Sequence, residues 1–182
     1  MFYHGSSIGK LAELNPFVSE HGKPYIYFAS NPVVALFYTV KAVEKPFSWY
    51  PYGFKNGTPV YTEYYPDALA DVYKGKTGYI YEFERIDSAE NPTDINCACV
   101  CNSPVKTDKI TEIPDVYEML LEYEKNGELI IERYDSLSES RKLWIENTIK
   151  SEIATHKLKS NSENSYESFI KSRFPNLYEE VE

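Results

Sequence analysis

The chain has 182 residues, 42% of them apolar, which is enough for one domain or a domain with a short appendage and too little for a multi-domain machine. The net charge of −9 argues against a general nucleic-acid binder, because phosphate neutralisation needs a basic face. That charge is uneven: residues 1 to 111 hold 10 Lys/Arg against 12 Asp/Glu, residues 112 to 182 hold 9 against 16, and an anionic small molecule meets less repulsion in the first part.

Phe2 to His4 reads as a short strand ended by Gly5-Ser6-Ser7, and Ile8, Leu11 and Leu14 then give a brief apolar period. Pro24 to Ala29 is the next strand. Asn31 as N-cap and Pro32 at the first helical position open a helix running to about Val43. Residues 45 to 65 mix Pro, Gly and aromatics without helical period, which predicts a long loop or lid packed by its own rings and bordering a ligand cleft. Pro66 to Lys74 suits a short helix, Tyr79 to Phe83 a strand of strong β-formers, and Cys97 to Cys101 and Val105 to Ile113 weaker strands. Asp115 to Lys125 carries a helical period stopped by Asn126-Gly127, and Leu129 to Ile131 is a strand. Ser136 and Glu139 fit a capping box before a long helix carrying Leu143, Trp144, Ile149 and Ile153. Residues 160 to 165 read as a linker to a last helix around Tyr166 to Arg173.

Several motifs reduce to plain structure. Gly75-Lys76-Thr77 lacks the earlier glycine of a phosphate loop, since position 70 is Ala70. Asn56-Gly57-Thr58 reads as a turn rather than a glycosylation site. Cys97, Cys99 and Cys101 alternate at strand period, so they share a face and are poorly placed to pair with one another; buried thiols in a reducing compartment are expected, with no metal site. The N-terminus has neither a basic nor an apolar leader segment, and the longest apolar run, Val33 to Val40, is too short to span a bilayer, so a cytoplasmic location without a membrane partner is expected.

Tyr3-His4-Gly5-Ser6-Ser7, then Pro24-Tyr25-Ile26-Tyr27-Phe28-Ala29-Ser30, then a helix with Ala35, resembles the opening of the ADP-ribosyltransferase fold found in poly-ADP-ribose polymerases, diphtheria toxin and rifampin ADP-ribosyltransferases. The resemblance implies that NAD is the substrate. It implies that His4 bonds the adenosine-side ribose, Gly5 binds the nicotinamide amide through its backbone with Ser6 beside it, Tyr27 stacks on the nicotinamide ring, and Tyr38 is a second stacking aromatic. His4 and Tyr27 are then expected on adjacent strands with their side chains in one cleft.

The third position departs from the family pattern. Efficient members place a glutamate on a late strand, where it holds a ribose hydroxyl as nicotinamide leaves; the segment Cys97 to Asn102 has no carboxylate. Glu112 and then Glu90 are the substitutes in sequence order. The resemblance therefore implies an α+β domain over residues 1–135, with two small facing sheets, and a helical extension over 136–182. Its expected function is transfer of ADP-ribose from NAD to a protein or small-molecule acceptor, or hydrolysis of NAD. The rival is a catalytically inactive nucleotide-binding or protein-interaction module on the same fold. An RNA 2′-phosphotransferase is disfavoured by the few arginines, Arg85, Arg133, Arg141 and Arg173.

Overall fold

A computed structural model describes residues 1–18, 22–40, 52–87, 89–91, 95, 97–156, 158 and 165–181. In chain order the elements are β1 (Phe2–Ser6), β2 (Glu13–Leu14), β3 (Phe17–Val18), β4 (Pro24–Ala29), α1 (Pro32–Phe37), β5 (Tyr52–Lys55), β6 (Thr58–Thr62), α2 (Ala68–Tyr73), β7 (Gly78–Phe83) and β8 (Ala98–Cys101). There follow β9 (Val105–Lys106), β10 (Lys109–Ile113), α3 (Val116–Lys125), β11 (Ile130–Glu132), α4 (Glu139–Thr155), α5 (Ser165–Arg173) and α6 (Pro175–Glu180). The class is α+β. No helix among the described residues is long and apolar enough to cross a membrane.

Two compact units divide the chain. One holds residues 1–41 and 73–129, the other 42–72 and 130–182. The later break lies close to the sequence boundary at 135/136, but residues 42–72 join the C-terminal part, which a linear division of the chain misses.

The first unit is built on the sheet β10-β7-β1-β4-β3, with β8 also on β4 and all pairs antiparallel. Alternation along β4 and β7 puts Ile26, Phe28, Tyr81 and Phe83 into one core with Leu14, Ile86, Cys99 and Cys101. Cys99 and Cys101 are buried and free, and burial pushes the Cys99 thiol up, away from the reactive thiolate. Helix α1 starts as expected, with the Asn31 carboxamide accepting from Val33 and Val34, but it ends at Phe37 rather than near Val43. There the Tyr38 N–H bonds the Ala35 carbonyl and the Thr39 hydroxyl takes the Leu36 carbonyl, closing the last turn. Asp115 caps α3, and its other carboxylate oxygen accepts from the N–H of Gly75, so the Gly-Lys-Thr turn fastens a helix start instead of cradling phosphate.

The second unit corrects two expectations. Of the segment read as a loop over 45 to 65, residues 52 to 62 form a hairpin, β5 and β6, turned by Asn56 and Gly57 at φ 52 and 83, and β11 adds to β6 in parallel. Residues 45–51 lie outside those described, as does the 160–164 part of the expected linker. Helix α4 is capped by Ser138, whose hydroxyl accepts from Arg141, not by Ser136, whose hydroxyl bonds the Arg133 carbonyl. Its buried stripe is Ile145, Ile149 and Ile153; Leu143 and Trp144 are exposed because the helix turns about 100° per residue away from that stripe.

Around the stripe gather Tyr64, Tyr65, Leu158, Ile170 and Phe174. The buried Glu63 carboxylate accepts from the N–H groups of Leu69 and Tyr134, so this charge is satisfied by backbone. Asp71 of α2 receives Arg173 of α5 through Nε and Nη2 and the Tyr65 hydroxyl as well. Arg173→Lys keeps the charge and loses the planar fork. With both side chains about one third exposed, at 36% and 35%, the expected global cost is below about 1 kcal/mol. Amide exchange should rise in α5, and unchanged exchange there would show that the clip carries no local stability.

Candidate functional site

The His4 side chain and the Tyr27 backbone meet where β1 and β4 part. Strand β1 shares five register pairs with β7, from Phe2↔Phe83 to Ser6↔Tyr79, and a single one with β4, Tyr3↔Ala29. Beyond that pair the His4 imidazole supplies the link, its Nδ1 lying 2.8 Å from the Tyr27 carbonyl oxygen. A carbonyl only accepts, so Nδ1 carries the hydrogen and Nε2 of the neutral ring is an acceptor. Burial lowers the His4 pKa below 6.5, opposed in part by this bond. At neutral pH the ring is therefore uncharged and can receive a hydrogen bond from a hydroxyl group.

His4 and Tyr27 do lie on adjacent strands, but their side chains do not share a face. Continuing the Tyr3↔Ala29 register sets His4 across from Phe28 and Gly5 across from Tyr27. The rings agree: His4 lies 5.9 Å from Phe28 and 6.1 Å from Tyr81, whereas Tyr27 neighbours Tyr25 and the exposed Phe17. The expectation of one cleft took the order of the motifs as a guide to facing, and an antiparallel register decides facing by parity.

Gly5 is bare for a reason of packing. A Cβ there would stand 1.9 Å from the Ala35 carbonyl oxygen of α1, so the helix rests on the glycine backbone. Ser6 lies on the His4 face and its hydroxyl accepts from the N–H of Ile8. Tyr38 is not within the helix but caps its C-terminus, half-buried.

The two glutamates fall on opposite faces. Glu112 pairs with Tyr79, which pairs with Ser6, so it shares the His4 face two strands from β1, about 10 Å away at the usual strand spacing. Glu90 forms an isolated bridge to Val100, which pairs with Tyr27; it lies on the Tyr27 face, also about 10 Å from that strand. Neither stands beside His4. A third carboxylate, Glu82, escaped the sequence reading: it sits across from Tyr3 and is held by Lys109 Nζ and the Thr111 hydroxyl, each at 3.0 Å. The signal was present, since alternation in Tyr79-Ile80-Tyr81-Glu82-Phe83 sends Glu82 away from the aromatic core.

Among the described residues no group of His, Cys, Asp and Glu is placed to hold a metal ion. Two open hollows, one beside α3 lined by Asp115, Glu118 and Glu122 and one at the start of α4 near Ser138 and Arg141, include neither His4 nor Tyr27. Comparison with protein-family models, curated proteins and solved structures found no match.

Two outcomes follow from this geometry. Gly5→Ala should destabilise the protein by about 1 to 3 kcal/mol, because rigid helix backbone opposes the added methyl; a thermal melt indistinguishable from wild type would contradict that approach. His4 has its folded pKa below its unfolded value, so the unfolded chain binds more protons between the two, and its contribution to stability should fall as pH drops below about 6.5. Chemical unfolding at pH 7.5 and 5, in wild type and His4→Gln, should show that loss in wild type alone.

Proposed function

We propose that the first unit binds NAD in the manner of an ADP-ribosyltransferase and transfers ADP-ribose to a protein or small-molecule acceptor, or to water. The observation that carries this reading is His4, fixed through Nδ1 to the Tyr27 carbonyl at the parting of β1 and β4, with Nε2 left to accept from a ribose hydroxyl. The order of the Tyr3-His4-Gly5-Ser6 strand, the Tyr25-Ile26-Tyr27-Phe28 strand and the Asn31-capped helix, with the two strands adjacent, supports it too; the facing of the Tyr27 ring counts against it, because that ring lies on the face opposite His4 and is not placed to stack on a nicotinamide bound beside the imidazole. In the reaction the bond from ribose C1′ to the nicotinamide nitrogen breaks, and its electron pair leaves with nicotinamide. A nucleophile then bonds C1′ and gives up its proton. The chain's part is orientation of the dinucleotide and steadying of the positive charge at C1′. The three free thiols suit a cytoplasmic setting.

A second reading, a nucleotide-binding module without turnover, is favoured by one observation: Glu112 and Glu90 stand two strands off on opposite faces. Calorimetry separates the readings from their failure. NAD should bind wild type, and His4→Ala should lose about 1 kcal/mol, roughly fivefold in Kd; no heat with wild type would remove both. For the enzyme, Glu112→Gln is expected to slow nicotinamide release on the order of 100-fold with NAD affinity nearly unchanged, and Glu90→Gln to do so only if Glu112→Gln does not. Wild-type binding without nicotinamide release would establish the module.

A further inference from the structure

Directly after β1, the turn Ile8-Gly9-Lys10-Leu11 is closed by a side chain from another strand. Tyr81, fully buried, donates its hydroxyl to the Ile8 carbonyl at 2.8 Å and accepts from the Leu11 N–H at 3.1 Å, standing where a direct bond between turn ends would run. The next carbonyls are held as well: the Thr107 hydroxyl donates to Leu11 at 2.6 Å and the Thr107 N–H to Ala12 at 3.1 Å. Gly9 lies on the Tyr79 ring so closely that a Cβ would stand 2.4 Å from it.

Within this clamped turn Lys10 has φ 59, the left-handed conformation that glycine or asparagine adopts with less steric conflict. Its side chain is exposed and forms no ion pair with any described residue. Between Met1 and Val18 the one carboxylate is Glu13, which faces Lys106 across the β2–β9 pair. Tyr81 is also the direct partner of His4 across β1 and β7, so the turn that its hydroxyl holds lies over the His4–Tyr81 row.

We propose that the Ile8–Leu11 turn is an anion subsite of the His4 face, with Lys10 supplying the charge for a phosphate or pyrophosphate group and the Tyr81 hydroxyl holding the turn that presents it. The inference rests on the NAD reading for its ligand, whose pyrophosphate joins two ribose units, one of them assigned to His4. A cation held in a fastened turn loses less freedom on meeting a phosphate than one on a loose loop.

The test is calorimetry of the full chain with ADP-ribose, adenosine and inorganic pyrophosphate, on wild type, Lys10→Gly and the remote control Lys125→Ala. Glycine fits the left-handed backbone, so the melting temperature of Lys10→Gly should equal or exceed wild type and a loss of binding is not a loss of folding. Lys10→Gly should weaken ADP-ribose and pyrophosphate about tenfold, less at high salt, and leave adenosine alone; Lys125→Ala should leave all three unchanged. Wild-type affinity in Lys10→Gly, equal losses in both variants, an equal loss for adenosine, or a wild type that binds neither phosphate probe overturns the subsite. Pyrophosphate held through Lys10 by a chain that ignores ADP-ribose and NAD supports the subsite and removes the NAD reading, whereas NAD binding indifferent to Lys10 does the reverse.

Discussion

Helix α1 lies so close to strand β1 that a methyl group on residue 5 would collide with the Ala35 carbonyl, and a similar absence at Gly78 admits Thr39 and Val116. Two bare positions on neighbouring strands therefore let α1 and the start of α3 settle onto one face of the central sheet. Once that face belongs to the helices, the opposite face, with Phe28, Tyr81 and Phe83, packs against Leu11 and Leu14 and the thiols of Cys99 and Cys101 on β8. The close approach is thus a constraint on both layers, because a well-packed interior has no spare volume in which to shift either one.

The same arrangement sorts the site residues. His4 belongs to the face of Phe28 and Tyr81 and Gly5 to the face on which α1 rests, although they are neighbours in sequence. The imidazole recovers a connection between the two strands by reaching the Tyr27 backbone rather than the Tyr27 ring. A histidine bonded in this way has its tautomer decided by geometry, and its burial keeps it neutral, so its chemistry toward a ligand is that of an acceptor.

Elements set by local chemistry were readable from the chain. Asn31 before Pro32, Asp115 before Val116 and Asn126-Gly127 after Lys125 mark helix ends through bonds within a few residues. Strand β4 spans Pro24–Ala29, the bounds its run of β-formers marks. Local signals failed where two candidates competed within a few residues: Ser136 and Ser138 both precede α4, and which hydroxyl caps it depends on the turn that ends at Ser136. Asn56-Gly57 carried a hairpin signal that the surrounding prolines and aromatics outweighed.

The sequence by itself determined the positions of many strands and helices and the order in which His4, Tyr27 and the capped helix follow one another, because each depends on periodicity or on caps only a few residues long, whereas the α+β class came from the resemblance those motifs carry. Only the tertiary structure decided which side chains share a face, which carboxylates stand near which strands, and that residues 42–72 join the C-terminal part in one unit. The physical reason is that facing is a matter of register between distant strands. A shift of one residue in that pairing exchanges every side chain between faces while leaving each strand's own pattern intact.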